Sequence, residues 1–223
     1  MPHPPLNVRL IFIRHGQTDW NRLGRLQGHI DVPLNEVGRA QAKRNGAVLA
    51  ENWARLASGG TRGNGAAGGK DHGPSGAQDA LAALPFVASP LSRAVETMEL
   101  VRASAGLPRA GYSVDPRLKE VCYGHWEGAY LAELKQQDPQ GYNQRRFDKF
   151  HWRPIDGESY ADLTARVSQW LATIDRDHVV VSHGGVSRVI RGLFLDLAED
   201  EIPNLEVPQD RIMVIERGSL VWL

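Results

Sequence analysis

The stretch LIFIRHGQTDWN, Leu10 to Asn21, joins two chemistries at one point. Leu10 to Ile13 is short, branched and apolar, and with Val8 it reads as a buried strand. Arg14 and His15 then place a cation and an imidazole where burial is costly, and Gly16 follows. Two other apolar runs end in the same way. Pro85 to Ala88 runs into Ser89, with Arg93 four residues further on, and His178 to Val181 runs into Ser182-His183-Gly184-Gly185.

Helical segments lie between these runs. Asn35 reads as the N-cap of EVGRAQAKRNGAVLAENWARLA, whose apolar face of Val37, Ala40, Val48 and Leu49 is modest. Ser89 reads as the N-cap of the next helix, with Pro90 at its first position. Ser159 with Asp162 forms a capping box that opens a helix burying Val167, Trp170, Leu171 and Ile174. Short strands are expected at Tyr112–Val114 and Ile212–Ile215, the last extended by or paired with Ser219–Leu223. Strands alternating with helices predict an α/β fold with a mainly parallel sheet and right-handed crossovers. The polar, aromatic segment from Asp115 to His151 reads as an inserted, partly helical lobe, around residues 116–155.

Length and composition narrow the class. The 223 residues suit one α/β domain spanning 1–223, and 42% apolar residues are enough for a full core. Lysine plus arginine and aspartate plus glutamate both number 26, so the net charge is zero. That balance argues against a nucleic-acid or membrane-surface binder. A single cysteine, Cys122, leaves no internal disulfide framework and fits a reducing compartment. MPHPPLNVRL lacks the pattern of a signal peptide and no apolar run reaches membrane-spanning length, so a soluble cytoplasmic protein is expected. Ser58 to Asp79 is glycine-rich and almost empty of large apolar residues. It is expected to be a mobile surface insertion, and a linker between two domains is the alternative. His3, His29, His72 and His178 lack metal-ligand spacing, so a zinc site is not expected.

In a parallel sheet the carboxyl ends of the strands face one crevice. Arg14, His15, Arg93 and His183 would meet there, and helix N-termini after Ser89 and His183 would add N–H donors. Guanidinium forks match phosphoryl oxygens, and the glycines beside each histidine permit close approach. A histidine nucleophile would form a phosphohistidine, splitting one hard displacement into two. The leaving alkoxide then needs a proton from a carboxylic acid of raised pKa, and Glu120 and Glu127 are the candidates. A neutral nucleophile and a protonated acid together predict a bell-shaped pH–rate profile.

The chain resembles the histidine phosphatase superfamily, the phosphoglycerate mutase-like branch 1. The motifs are Arg14-His15-Gly16-Gln17-Thr18 with Asn21, LQG at Leu26 to Gly28, SPLSRAVET around Arg93, LKEVCYGHWEG around Glu120, DGES at Asp156 to Ser159, and SHGG around His183. They stand in the family's order and span nearly the whole chain. The resemblance implies a three-layer αβα sandwich and metal-free phosphoryl transfer. It implies His15 as the phosphorylated nucleophile and Glu120 as proton donor, then base. Arg14, Arg93 and His183 would hold the phosphoryl group. Asn21, Gln27, Gly28, Tyr123 and Gly184 would contact the substrate, although Asn21 and Gln27 could instead bind loop backbone. Gln17-Thr18 in place of the mutases' glutamate-serine, Gly28-His29 in place of their GW, and a short segment after Glu120 favour a phosphatase over a mutase. A non-catalytic phosphate-binding module is a third reading. The expected partner is a small phosphorylated metabolite, with no nucleic acid and no membrane, and a homodimer stays open.

Overall fold

The computed structural model describes residues 8–57, 74–216 and 218–223. In chain order the elements are β1 (Leu10–Arg14), α1 (Asp19–Leu23), α2 (Glu36–Ala57), α3 (Pro74–Ala82), β2 (Phe86–Ala88), α4 (Ser92–Ser104) and β3 (Ser113–Val114). Then come α5 (Leu131–Gln137), α6 (Pro139–Phe147), α7 (Tyr160–Leu171), β4 (His178–Ser182), α8 (Gly184–Leu195), β5 (Ile212–Glu216) and β6 (Ser219–Trp222). The six strands form one sheet in the order β3-β2-β4-β1-β5-β6. β3, β2, β4 and β1 run parallel, β5 is antiparallel to β1, and β6 is antiparallel to β5. The mainly parallel sheet is therefore present, with β5 as its one reversed strand.

Alternation along the strands sorts the core into two layers. Leu10 and Phe12 of β1, with Val180 of β4 and Met213 of β5, pack against α7 and α8 through Leu163, Val167, Trp170, Val189 and Ile190. Ile11 and Ile13, with Val179, Val181 and Val214, face the other way, against Leu49, Trp53 and Leu56 of α2 and Met98 and Val101 of α4. Helices thus cover both faces, the three-layer αβα arrangement. The lobe between β3 and α7 contains α5 and α6. It is pinned by Trp126, whose ring lies 4.2 Å from that of Trp152 and whose Nε1–H donates to Asp138 at 2.9 Å.

Several local expectations hold. Asn35 Oδ1 accepts from the Gly38 N–H at 2.9 Å at the start of α2, and the Ser159–Asp162 capping box opens α7. Others are corrected. The α2 face that turns inward is Ala42, Asn45, Leu49, Trp53 and Leu56, while Val37 and Ala40 are exposed. A helix of weak amphipathicity leaves its rotation to its partners, and α4 is the element packed most closely along α2. Residues 58–73 of the expected mobile insertion lie outside the described residues. Its last part is helical, because Leu81 is fully buried and Gln78 Nε2 donates to the Ala105 carbonyl at 2.8 Å, anchoring α3. Ser89 is not the cap of α4. The helix begins at Ser92, and its first N–H donates to Asp31 Oδ1 at 2.9 Å from a distant loop.

Candidate active site

β1, β2 and β4 are parallel, so their carboxyl ends open on one edge of the sheet. There the chain leaves β1 at Arg14-His15, β2 at Ser89 and β4 at His183. A cavity of about 140 Å³ at this edge is lined by Arg14, His15, Asn21, Arg25, Leu26, Gln27, Gly28, Arg93, Glu120, Tyr123, Gly184 and Arg188. Nine of the ten residues singled out in the sequence line it. The tenth, His183, is fully buried just behind, its ring centroid 5.0 Å from that of His15. Arg25, Leu26 and Arg188 were not singled out. Arg188 lies one turn beyond Gly184 on the same face of α8, a spacing that could have marked it.

His15 is fixed at both ends. Its backbone N–H donates to the Ser182 carbonyl at 2.8 Å, extending the β1–β4 ladder. Its Nδ1 lies 2.8 Å from the Gly16 carbonyl, which can only accept. Nδ1 therefore carries the proton in the neutral ring, and Nε2 keeps its lone pair. Burial, then Arg93 and Arg14, hold the His15 pKa well below the usual imidazole range. Burial and the neighbouring His15, Arg93, Arg14 and Arg166 do the same to His183. His183 Nε2 is 2.7 Å from Ser89 Oγ, and its Nδ1 is buried without a partner. The hydroxyl expected to cap α4 is thus committed to the imidazole.

Arg14 and Arg93, two of the four arginines that line the cavity, are held by backbone carbonyls. Arg14 Nη1 donates to Val207 at 2.7 Å. Arg93 Nη1 and Nη2 donate to Ile30 and Gly28 at 2.9 and 2.7 Å. The Nε atoms of both are buried and unpartnered, as is Gln27 Oε1. Burial pushes Arg14 down to about 10, offset in part by Glu120, so it stays charged at neutral pH. Asn21 Oδ1 accepts from the Thr18 N–H in the cap of α1 and from Gln209 Nε2 at 3.0 Å. It therefore holds the loop as well as lining the cavity.

Glu120 accepts from the Gly185 N–H at 2.9 Å and from its neighbour Val121 N–H at 2.9 Å. A Cβ at position 185 would run into the carboxylate, so only glycine permits this approach. Both helix N-termini expected to serve an anion are thus taken by carboxylates, α4 by Asp31 and α8 by Glu120. Glu127 is spent on backbone. It accepts from the N–H groups of His29, Ile30 and Tyr123 at 2.7, 3.0 and 3.1 Å, tying the Gly28 loop to the Tyr123 loop. Gly28 has φ +54°, and a side chain there would strike Glu127.

Two buried imidazoles, three guanidinium groups with an idle Nε–H (Arg14, Arg25 and Arg93) and one carboxylate meet at the carboxyl edge of a parallel sheet. These features define a phosphate-handling α/β protein. The family model of the histidine phosphatase superfamily (branch 1) matches residues 10–60 and 74–222, and the chain belongs to that family. It is 30% identical over 209 residues to a glucosyl-3-phosphoglycerate phosphatase of Mycolicibacterium vanbaalenii, covering 88% of this chain and 78% of that protein. It is 31% identical over 189 residues to a metal-independent phosphoserine phosphatase of Arabidopsis thaliana, covering 82% of this chain and 67% of that one. Among solved structures, a mycobacterial glucosyl-3-phosphoglycerate phosphatase in complex with VO3 superposes with a TM-score of 0.68 at 30% identity, covering 96% of each chain. A putative α-ribazole-5′-P phosphatase of Escherichia coli superposes with a TM-score of 0.70 at 25% identity, covering 97% of this chain and 94% of that one. The protein is a phosphatase of small phosphorylated metabolites, a phosphoric monoester hydrolase.

No helix among the described residues is long and apolar enough to cross a membrane.

Proposed function

We infer that the chain hydrolyses phosphomonoesters through a phosphohistidine on His15. The observation that carries this is the fixed His15 tautomer, which leaves Nε2 its lone pair in a cavity also lined by Arg14 and Arg93, each with an idle Nε donor. In the first step His15 Nε2 attacks phosphorus, the bond to the leaving oxygen breaks, and Glu120 passes its proton to that oxygen. Water then attacks phosphorus, the Glu120 carboxylate takes its proton, and the Nε2–P bond breaks to release phosphate. Arg14 and Arg93 stabilise the charge on the equatorial oxygens, with His183 alongside. His15→Ala removes nearly all turnover of an aryl phosphate. Wild-type protein given a labelled phosphomonoester and quenched in alkali retains label on His15. Full turnover by the variant would sink the mechanism.

The lining charge supports one refinement of substrate. Four guanidinium groups, Arg14, Arg25, Arg93 and Arg188, line the cavity with Glu120, and Asp31 lies 3.9 Å from Arg93 Nη1. With Glu120 protonated for the first step, Asp31 and a phosphoryl dianion leave part of that positive charge unmatched. A substrate with a second anionic group fits this balance, as the phosphoglycerate moiety named in the mycobacterial relatives would. Phosphate release from a metabolite panel containing glucosyl-3-phosphoglycerate, phosphoserine and neutral sugar phosphates tests it. Equal rates on charged and neutral leaving groups would reject the refinement. A reducing, cytoplasmic setting is the one that a chain with a single cysteine supports.

A further inference from the structure

Glu120 lies in a stretch, residues 119–123, with no helix or strand to hold it. A proton donor must be held to within about half an ångström of its productive position, so something outside the stretch has to fix it. The side chain that reaches it is Arg166, from the middle of α7. Its Nη1 donates to the carbonyls of Arg117 and Lys119, both at 2.7 Å. Its Nη2 donates to the carbonyl of Glu120 itself at 2.8 Å. Nε and Nη2 also grip the two oxygens of Glu158 at 2.9 and 2.8 Å, a bidentate pair. Glu158 in turn accepts from the Cys122 N–H at 3.0 Å, on the far side of Glu120. The pair therefore clamps the backbone both before and after Glu120. His29 Nε2 adds a hydrogen bond to the same Glu120 carbonyl at 2.9 Å.

A guanidinium has five N–H donors, and the five hydrogen bonds of Arg166 all go to the carbonyls of Arg117, Lys119 and Glu120 and to Glu158. Nothing is left over for substrate, and Arg166 does not line the cavity. We propose that Arg166, with Glu158, is a positioning residue that aims the Glu120 carboxyl at the leaving oxygen. This rests on Glu120 being the general acid.

General-acid aid matters most when the leaving group is a poor one. An alkyl phosphate needs the proton, whereas 4-nitrophenyl phosphate loses 4-nitrophenolate, a stable anion, without it. The test is therefore kcat/KM, which reports the first chemical step, on 4-nitrophenyl phosphate and on glycerol phosphate. Arg166→Met is expected to lose about tenfold or more on glycerol phosphate beyond its loss on the nitrophenyl ester. Arg166→Lys does not restore the balance, because one ammonium replaces a planar fork that reaches three carbonyls. Glu158→Gln keeps the shape of the pair and shows a smaller bias of the same sign. It carries the test if Arg166→Met does not fold. Equal losses on both esters, or no loss, overturn the proposal. Glu120→Gln, measured on the same two esters, separates the premises. If it shows no bias, the reading of Glu120 as acid fails. If it shows the bias and the Arg166 and Glu158 variants do not, only the positioning role fails.

Discussion

At the scale of single residues, the Ser89–His183 pair illustrates how the site is built. Both side chains have no exposure, and the 2.7 Å contact is the one hydrogen bond His183 makes through its ring. Ser89→Ala leaves both ring nitrogens unpartnered in a dry site, which costs about 1–3 kcal/mol. Urea unfolding of the variant should show that loss. Its phosphatase activity should also fall, since the ring beside His15 loses its anchor. Strand ends followed by polar residues marked Arg14, His15, Arg93 and His183 in the sequence, whereas only the family resemblance set Glu120 apart from Glu127. The sequence did not carry the partner of His183. A serine followed by proline reads locally as a helix cap, and only the close approach of β2 and β4 reassigns its hydroxyl.

At the scale of elements, α4 begins without a side-chain cap of its own. Asp31 supplies one across a gap of 61 residues, accepting from both the N–H and the Oγ–H of Ser92. The same loop hands the Gly28 and Ile30 carbonyls to Arg93, the second residue of α4. Capping and active-site assembly are therefore one event. Asp31→Ala should destabilise the protein by about 1 kcal/mol, as removal of an N-cap does, visible as a lower melting temperature. Phosphate affinity should weaken alongside it, because the loop that orients Arg93 loosens. No change in either quantity would show that Arg93 needs only its carbonyl partners. The capping box of α7 was within reach of the sequence because its donor and acceptor lie three residues apart. The cap of α4 was not, since its acceptor comes from another element.

At the scale of the whole molecule, His15 and His183 are buried in neutral form, each with its pKa lowered first by burial. The unfolded chain binds protons on both as pH falls through about 6.5, while the folded chain does not. The unfolded state then holds more protons, so stability is complete above that value and declines as pH drops below it. Each imidazole contributes up to about 1.4 kcal/mol per pH unit. Urea titrations at pH 7 and pH 5 should give a clearly lower unfolding free energy at pH 5. A His183→Asn variant should show a shallower decline. An unchanged stability would mean that both imidazoles take up a proton in the folded chain. The sequence by itself determined the alternation of strands and helices, the mainly parallel sheet and the polar residues delivered at the strand ends. Those depend on period, capping and chain order, which are local properties. The tertiary structure decided the rotation of α2, the helical end of the glycine-rich segment, and the commitment of Ser89, Asp31, Glu127 and Arg166. Each of these depends on which side chains, apolar or polar, meet across more than twenty residues of chain, and no local pattern encodes that meeting.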